Sequence, residues 1–329
     1  MSRLHDDLIG PSLSEVAAPS ARIDAVSWPR AWYALATVHE LRMGRVVTRE
    51  IDGQPLVLWR DGEGRVVASV AHCPHVGAHL AHGDVHQGRL RCPLHHWSYD
   101  HRGDCRNECG ERRPGYRLAT WPTHVLGGVV FVHGGSDATP FPVDVGRDLV
   151  SAGRPVRLRA RWFAVIANAF DLRHLGMVHR RELLHPPVTE RTADHFSLHT
   201  VTRVLGRGLF HDLVRAASGD AVEAMITSHG GPLLHVRSRI GGNVTQLLLS
   251  ARPERDGVSM LPIVISPRGG PREWLRHRIA RWGYLQFLRR DIEILDEMRF
   301  RPRLDGPADE VLGRFLEFAR SRPPAEAPR

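Results

Sequence analysis

The sequence predicts an α+β chain: an N-terminal all-β domain, then a domain that pairs an antiparallel sheet with a long helix. Three observations carry this. After Trp28, short β-branched runs alternate with Asp-Gly and other turn signals, the pattern of hairpins. Between Leu234 and Ile265, runs of alternating character are split by Gly241-Gly242-Asn243 and Asp256-Gly257. From Pro271 to about Phe300 the apolar period becomes helical. At 329 residues, two domains are the natural division.

In chain order, residues 1–25 are polar and aperiodic and read as a flexible arm. The first domain is placed at 26–145. Its strands are 46–51, leading into Asp52-Gly53, then 56–59 into Asp61-Gly62, then 65–70, with a turn at 99–103 and a closing stretch VLGGVVFVH at 125–133. The Pro/Gly/Asp-rich segment GGSDATPFPVDVGRD links it to a second domain at 146–320. There, 161–179 carries the polar residues Asn168, Asp171, His174 and His179. Three strands follow, at 234–240, 244–251 and 258–265, then the long helix and a shorter one at about 308–319. Residues 321–329 are Pro-rich and read as a disordered tail.

With 42% hydrophobic and 25% charged residues, the composition is that of a globular protein. No run of about 18 apolar residues exists to span a membrane. The opening MSRLHDDLIG places acids where a secretory signal needs apolar residues, so a cytoplasmic location is expected. The net charge of +9 invites a nucleic-acid reading. However, all 45 basic residues are arginine, scattered rather than gathered beside stacking aromatics, which argues against it. A basic patch that steers an acidic redox partner fits better.

Cys73-Pro-His75 and Cys92-Pro-Leu-His95 form two short claws separated by 16 residues. Two thiolates on one iron and two imidazoles on the other suit a sulfide-bridged pair of irons; neutral histidines raise its potential. Gly77 allows the first loop to turn tightly, and Pro93 stiffens the second where backbone donors can face the sulfurs. Tetrahedral zinc is the alternative, although zinc sites usually open with Cys-x-x-Cys or close with paired histidines. Cys105 and Cys109, in DCRNEC, are read as free thiols. His72, His79, His82, His86, His96 and His101 are read as loop or surface residues.

CPHVGAHL followed by CPLHHW resembles the Rieske signature, and the likeness covers Trp28 to about Gly134. Two positions depart from it. Ala78 stands where some Rieske electron carriers have a bracing cysteine, and His96 where glycine usually precedes the tryptophan.

A second metal site is legible downstream. Two histidines and a carboxylate on one face of an octahedral iron leave positions open for oxygen and substrate. His174 and His179 supply two ligands if they converge; at i, i+5 a regular helix holds them about 140° apart, so a wide turn near Gly176 is expected. On the late helix, Tyr284, Leu288, Asp291, Leu295 and Met298 form an apolar stripe whose only acid is Asp291. A carboxylate facing a core is costly unless it is paired or binds a metal, so the alternative for Asp291 is a salt bridge to arginine. Asp296 is the second choice; Glu293 and Glu297 fall on the polar side.

With these residues the chain resembles the Rieske non-heme iron oxygenases over nearly its whole length. The resemblance implies a helix-grip second domain with iron between sheet and helix, and Cys73, His75, Cys92 and His95 around a [2Fe-2S] cluster. It also implies His174, His179 and Asp291 around a mononuclear Fe(II). In such proteins the aspartate matching Asp171 links the two metal sites across subunits of a homotrimer, and Asn168 belongs to the same motif; Ala167 departs from the glutamate common before it. Electrons come from NAD(P)H through a separate flavin reductase, with or without a ferredoxin. The chain itself has no GxGxxG motif and no second ferredoxin-like cysteine set. The α-only members, such as ketosteroid hydroxylase, aminopyrrolnitrin oxygenase and the O-demethylases, are the better likeness. That favours adding one oxygen atom from O2 (hydroxylation, dealkylation, N-oxidation) over cis-dihydroxylation of an arene, with ring closure or desaturation still open. Leu, Val and Ile dominate the strands, with no inward cluster of arginines expected, so the substrate is expected to be a largely apolar, uncharged or weakly polar small organic molecule. The rivals from other classes are an electron carrier with an inactive second domain and a zinc-stabilised binding module.

Overall fold

A computed structural model of the chain describes residues 27–135, 139–219, 221–254 and 256–326. The arm expected at 1–25 lies outside them, as do part of the linker and residues 327–329 of the tail.

The N-terminal half is built from three small antiparallel sheets. Val47–Ile51, Gln54–Arg60, Val66–Val70 and Thr120–Trp121 form one, with Asp52 and Gly53 both at positive φ in the first turn. This is the left-handed geometry that an Asp-Gly hairpin requires. Trp32–Thr37, Val129–His133 and Thr123–Leu126 form the second; the expected single stretch 125–133 divides at Gly127-Gly128 into a hairpin. The third consists of Asp84–His86, Arg89–Arg91, Ser98–Tyr99 and Cys105–Arg106, and its loops carry the two claws.

The C-terminal half is a nine-stranded antiparallel sheet. Its central strands are His195–Val204, Val222–His229, Leu233–Ile240, Asn243–Glu254 and Gly257–Ser266, paired in sequence order. The alternation read from the sequence decides its two faces. Leu234, Leu247, Leu249 and Met260 join one core with helices α1 (Trp162–Ala167), α4 (Pro271–Leu295) and α5 (Glu310–Arg320). Leu233, Leu248, Ile263 and Ile265 face the other way, onto Trp32 and Phe131 of the N-terminal half. Each such buried side chain contributes roughly 1.5–3 kcal/mol, so the two halves share a substantial apolar seam. Two further helices complete the chain: α2 (Leu172–Met177), after a single 3-10 turn at Asn168–Phe170, and α3 (Leu209–Ser218).

Three expectations are corrected. The long helix ends at Leu295 rather than near Phe300: Asp296 is extended and Glu297 has φ +63°, so Met298 packs on the core from a loop. The stretch 161–179 is two short helices and a turn instead of one helix with a wide turn. The Pro-rich end is docked through residues 321–326. Arg30 and Ala325 donate backbone hydrogen bonds to Pro323 and Trp28, at 2.9 and 2.7 Å, and Ala325 packs against the N-terminal core. No helix among the described residues is long and apolar enough to cross a membrane.

Candidate metal centres

The two claws are copies of one loop. Cys73 N–H donates to Ala78 C=O at 2.9 Å, and Cys92 N–H to Trp97 C=O at 2.8 Å. In return Gly77 N–H donates to Cys73 C=O, and His96 N–H to Cys92 C=O. The fourth residue after each cysteine must therefore be left-handed, and Gly77 and His96 have φ +83° and +57°. Glycine accepts that backbone freely; histidine does so at a cost, which is the physical meaning of the departure at His96.

This geometry brings Cys73, His75, Cys92 and His95 together. Both cysteines are buried, His75 is half-buried and His95 exposed. The imidazoles lie side by side with ring centroids 4.9 Å apart, and His75 stacks on Trp97 at 3.9 Å. Three observations fit a metal cluster here. Nδ1 of His75 is buried without a hydrogen-bond partner. Burial pushes the Cys92 thiol above its ordinary pKa; the N–H groups of Leu94 and His95 oppose this, and the adjacent Cys73 adds to it. Two neighbouring buried thiols become thiolates together only when a cation compensates them. Tyr99 OH lies 3.0 Å from Cys73 Sγ, and its own pKa is driven far up by burial and then by Cys73, so it stays a donor toward a thiolate. The sequence reading did not single out Trp97 or Tyr99. Cys105 is buried beside Tyr99, and Cys109 is exposed; both are free. Of the six histidines set aside, His72, His82, His86 and His96 are exposed and His79 and His101 half-buried.

The second centre lies between α4 and the sheet. Asp171 caps α2, its carboxylate accepting from His174 N–H at 2.9 Å. The helix then stops: Val178 N–H closes the last turn onto His174 C=O, and Arg180 turns left-handed at φ +54°. His179 therefore leaves the helix and swings back over His174, which replaces the expected bulge near Gly176. Asp291 reaches them from the inner stripe of α4. Nε2 of His174 is 3.0 Å from Nε2 of His179, and Oδ1 of Asp291 is 2.9 Å from each. Among the described residues this is the group of three arranged to hold a single ion.

The shape of that triangle is informative. Three cis ligands on an octahedral ion with bonds of about 2.1 Å lie about 3.0 Å apart, against about 3.4 Å on a tetrahedral one. The observed edges match the octahedral face. The donor set points the same way: Nε2 of His174 cannot donate one hydrogen to both Asp291 and His179 and also accept from the Asn168 amide N–H, 3.1 Å away. Burial works against ionisation of Asp291, but the imidazoles of His174 and His179 outweigh it and hold the carboxyl below its usual range. Burial likewise lowers the pKa of His179, opposed by Asp291, so the imidazole stays neutral and able to ligate. Its ring is fixed by stacking on Phe287 at 3.6 Å. Asp296 is elsewhere, accepting from Arg159 N–H at 2.9 Å at the end of α4.

The triangle opens onto a cavity of about 460 Å³ between the sheet and α4. Its walls are mostly aliphatic, with Leu158, Val165, Ile226, Leu247 and Met260 among them. The even positions 234, 236, 238 and 240 of the alternating strand line it, a facing that the sequence alone did not assign. Two arginines, Arg181 and Arg276, also line it, which the sequence reading missed because nothing distinguishes them from their scattered neighbours.

Comparison with known proteins places these centres in context. Residues 31–122 match the Rieske [2Fe-2S] domain. The chain is 32% identical over 178 residues to aminopyrrolnitrin oxygenase of Pseudomonas fluorescens, covering 49% of each. It is 29% identical over 167 residues to cholesterol 7-desaturase of Bombyx mori, covering 48% of this chain and 37% of that one. It is 26% identical over 282 residues to 4beta-methylsterol monooxygenase of Methylococcus capsulatus, covering 79% and 73%. The chain thus spans half or less of the length of the first two relatives. The fold resembles the crystal structure of dicamba monooxygenase bound to dicamba, at a TM-score of 0.64 and 19% identity over 89% of this chain and 97% of that one. It also resembles NdmA of Pseudomonas putida CBB5 with caffeine, at a TM-score of 0.65 and 17% identity over 88% and 90%.

Proposed function

We propose, for a chain that belongs to the Rieske non-heme iron oxygenase family, that it is the oxygenase component of an electron-transfer system and adds one oxygen atom to a small, mostly apolar organic substrate. The observation that carries this is the His174–His179–Asp291 triangle, with edges of 2.9–3.0 Å, facing an aliphatic cavity.

Cys73, Cys92, His75 and His95 hold the [2Fe-2S] cluster, and His174, His179 and Asp291 the mononuclear Fe(II). When bound, the cluster supplies single electrons and the open iron face activates dioxygen. The protein's own residues prepare that chemistry. Tyr99 donates to Cys73, which withdraws charge from the cluster's thiolate side. Asp171 pins the backbone of His174, and Phe287 fixes the ring of His179. The aliphatic walls exclude water and hold the substrate body beside the iron face.

The exposed His95 edge would be the side on which an NAD(P)H-dependent flavin reductase, or a ferredoxin it reduces, docks to supply electrons. In a head-to-tail homotrimer, His95 of one chain approaches Asp171 of the next; a heterologous contact that closes is how such a ring forms. The free Cys105 and Cys109 suit the reducing cytoplasm.

A single turnover of the reduced protein under labelled dioxygen, with a panel of apolar candidates, tests the reading. One labelled atom in the product is expected. Two labelled atoms would establish dihydroxylation instead, none would mean desaturation or ring closure, and no oxygen-dependent product with any candidate would leave the electron-carrier reading standing.

A further inference from the structure

Arg181 begins the strand Arg181–Leu183, two residues beyond His179, and lines the cavity. Its guanidinium is half-buried, and Nη1 is buried without a hydrogen-bond partner. Most arginines placed comparably are accounted for. Arg290 donates to Val178 C=O at 3.0 Å; Arg215 pairs with Asp212 and donates to Gly206 C=O at 3.0 Å. Arg276, at the cavity mouth, faces Glu273 at 3.7 Å. Arg181 has neither a carboxylate nor a carbonyl among the described residues. The nearest carboxylate in the cavity, Asp291, is already engaged by His174 and His179.

A guanidinium presents five donors in a planar fork and keeps its charge at neutral pH, so a buried Nη1 without an acceptor is unfavourable unless something supplies one. The aliphatic walls cannot. A planar acceptor with two oxygens and a negative charge matches the fork best, because it bonds bidentately and neutralises the charge together.

We propose that Arg181 is the anchor for a carboxylate on the substrate, so the compound oxidised here is an amphiphilic organic acid, with an apolar body on the aliphatic walls and its carboxylate on Arg181. This deepens, and rests on, the oxygenase reading above. Arg181 is then a specificity-determining residue: it touches the substrate and leaves the metals alone.

The test is equilibrium binding to the intact metal-loaded protein under nitrogen. The probes are 2-naphthoate, indole-3-acetate and cyclohexaneacetate, each beside its own primary amide. At least one acid should bind tenfold or more tighter than its amide to the parent. Arg181→Gln should erase that preference while leaving amide affinity within about twofold, and Arg181→Lys should retain part of it, as a point charge without the fork. Melting temperature and iron and sulfide content of each variant show that fold and metals persist. The proposal is overturned if no acid is preferred over its amide, including the case in which no acid binds, or if Arg181→Gln weakens acid and amide equally. Failure of the underlying reading has a separate signature: a parent protein without mononuclear iron, whatever the probes do.

Discussion

Replacing Asp171 by Asn and by Ala separates two roles of one side chain. In the structure its carboxylate accepts the His174 N–H at 2.9 Å and so caps α2, six residues long, which carries the proposed iron ligand His174. Asn caps a helix as well as Asp, so Asp171→Asn keeps this bond; loss of charge at the helix start costs a few tenths of a kcal/mol. Asp171→Ala removes the cap at a cost of about 1 kcal/mol. In a unit of this size that lowers the melting temperature by roughly 2–4 °C, and it loosens His174 as well. The proposed second role, receiving electrons from the neighbouring chain's His95, depends on the carboxylate itself. Asp171→Asn is therefore expected to keep parent stability and iron content yet reoxidise its cluster about 10²-fold more slowly when the reduced protein meets substrate and oxygen, the order of loss that a misaligned contact produces. Stopped-flow absorbance of the cluster reads that rate. The reasoning is refuted if Asp171→Asn sheds iron or stability as Ala does, or if its cluster reoxidises at the parent rate.

Three further substitutions probe the claws. Cys92→Ser should lose the brown colour but keep a folded second half and about one iron per chain, because the cluster core around Trp59, Leu90 and Tyr99 is separate from the core around Trp162 and Phe315; loss of all iron and of the second half's cooperative unfolding would contradict this. Gly77→Ala meets nothing within 4 Å of the new methyl, so its cost is backbone strain alone, about 1–2 kcal/mol. His96→Gly relieves similar strain but adds unfolded-chain entropy, so it should stay within about 0.5 kcal/mol of the parent. Denaturant titration of the holo-protein checks both, and a neutral Gly77→Ala would show that the left-handed turn is not required.

What could be read in advance was what local chemistry dictates. The four proposed cluster residues sit in two short loops whose spacing is itself the signal, and Asp291 stood out as the lone acid on an apolar stripe. The alternation at 234–240 marked a two-faced strand, but which face meets the cavity came only with the fold. What stayed hidden depends on how the chain ends its elements and packs at long range. The end of α4 at Leu295 has no Gly or Pro nearby to mark it, only Glu297 turning left-handed. His179 converges because α2 stops, not because it widens, and the residue that turns the chain, Arg180, looks like any other arginine. The Pro-rich end has the composition of a tail, yet its backbone finds partners near Trp28 and Gly134, some 190 residues or more away in sequence. Arg181 escaped notice for the same reason: which of 45 arginines turns a buried Nη1 into the cavity is decided only by the fold.

The central claim is that His174, His179 and Asp291 hold one iron beside a separate two-iron cluster. Iron and acid-labile sulfide counted on protein purified without oxygen test it most directly. The parent should carry about three irons and two sulfides per chain, and Asp291→Ala about two and two, with the cluster's spectrum unchanged and Asp296→Ala like the parent. A parent with only two irons, or an Asp291→Ala that keeps three while Asp296→Ala drops to two, would contradict it.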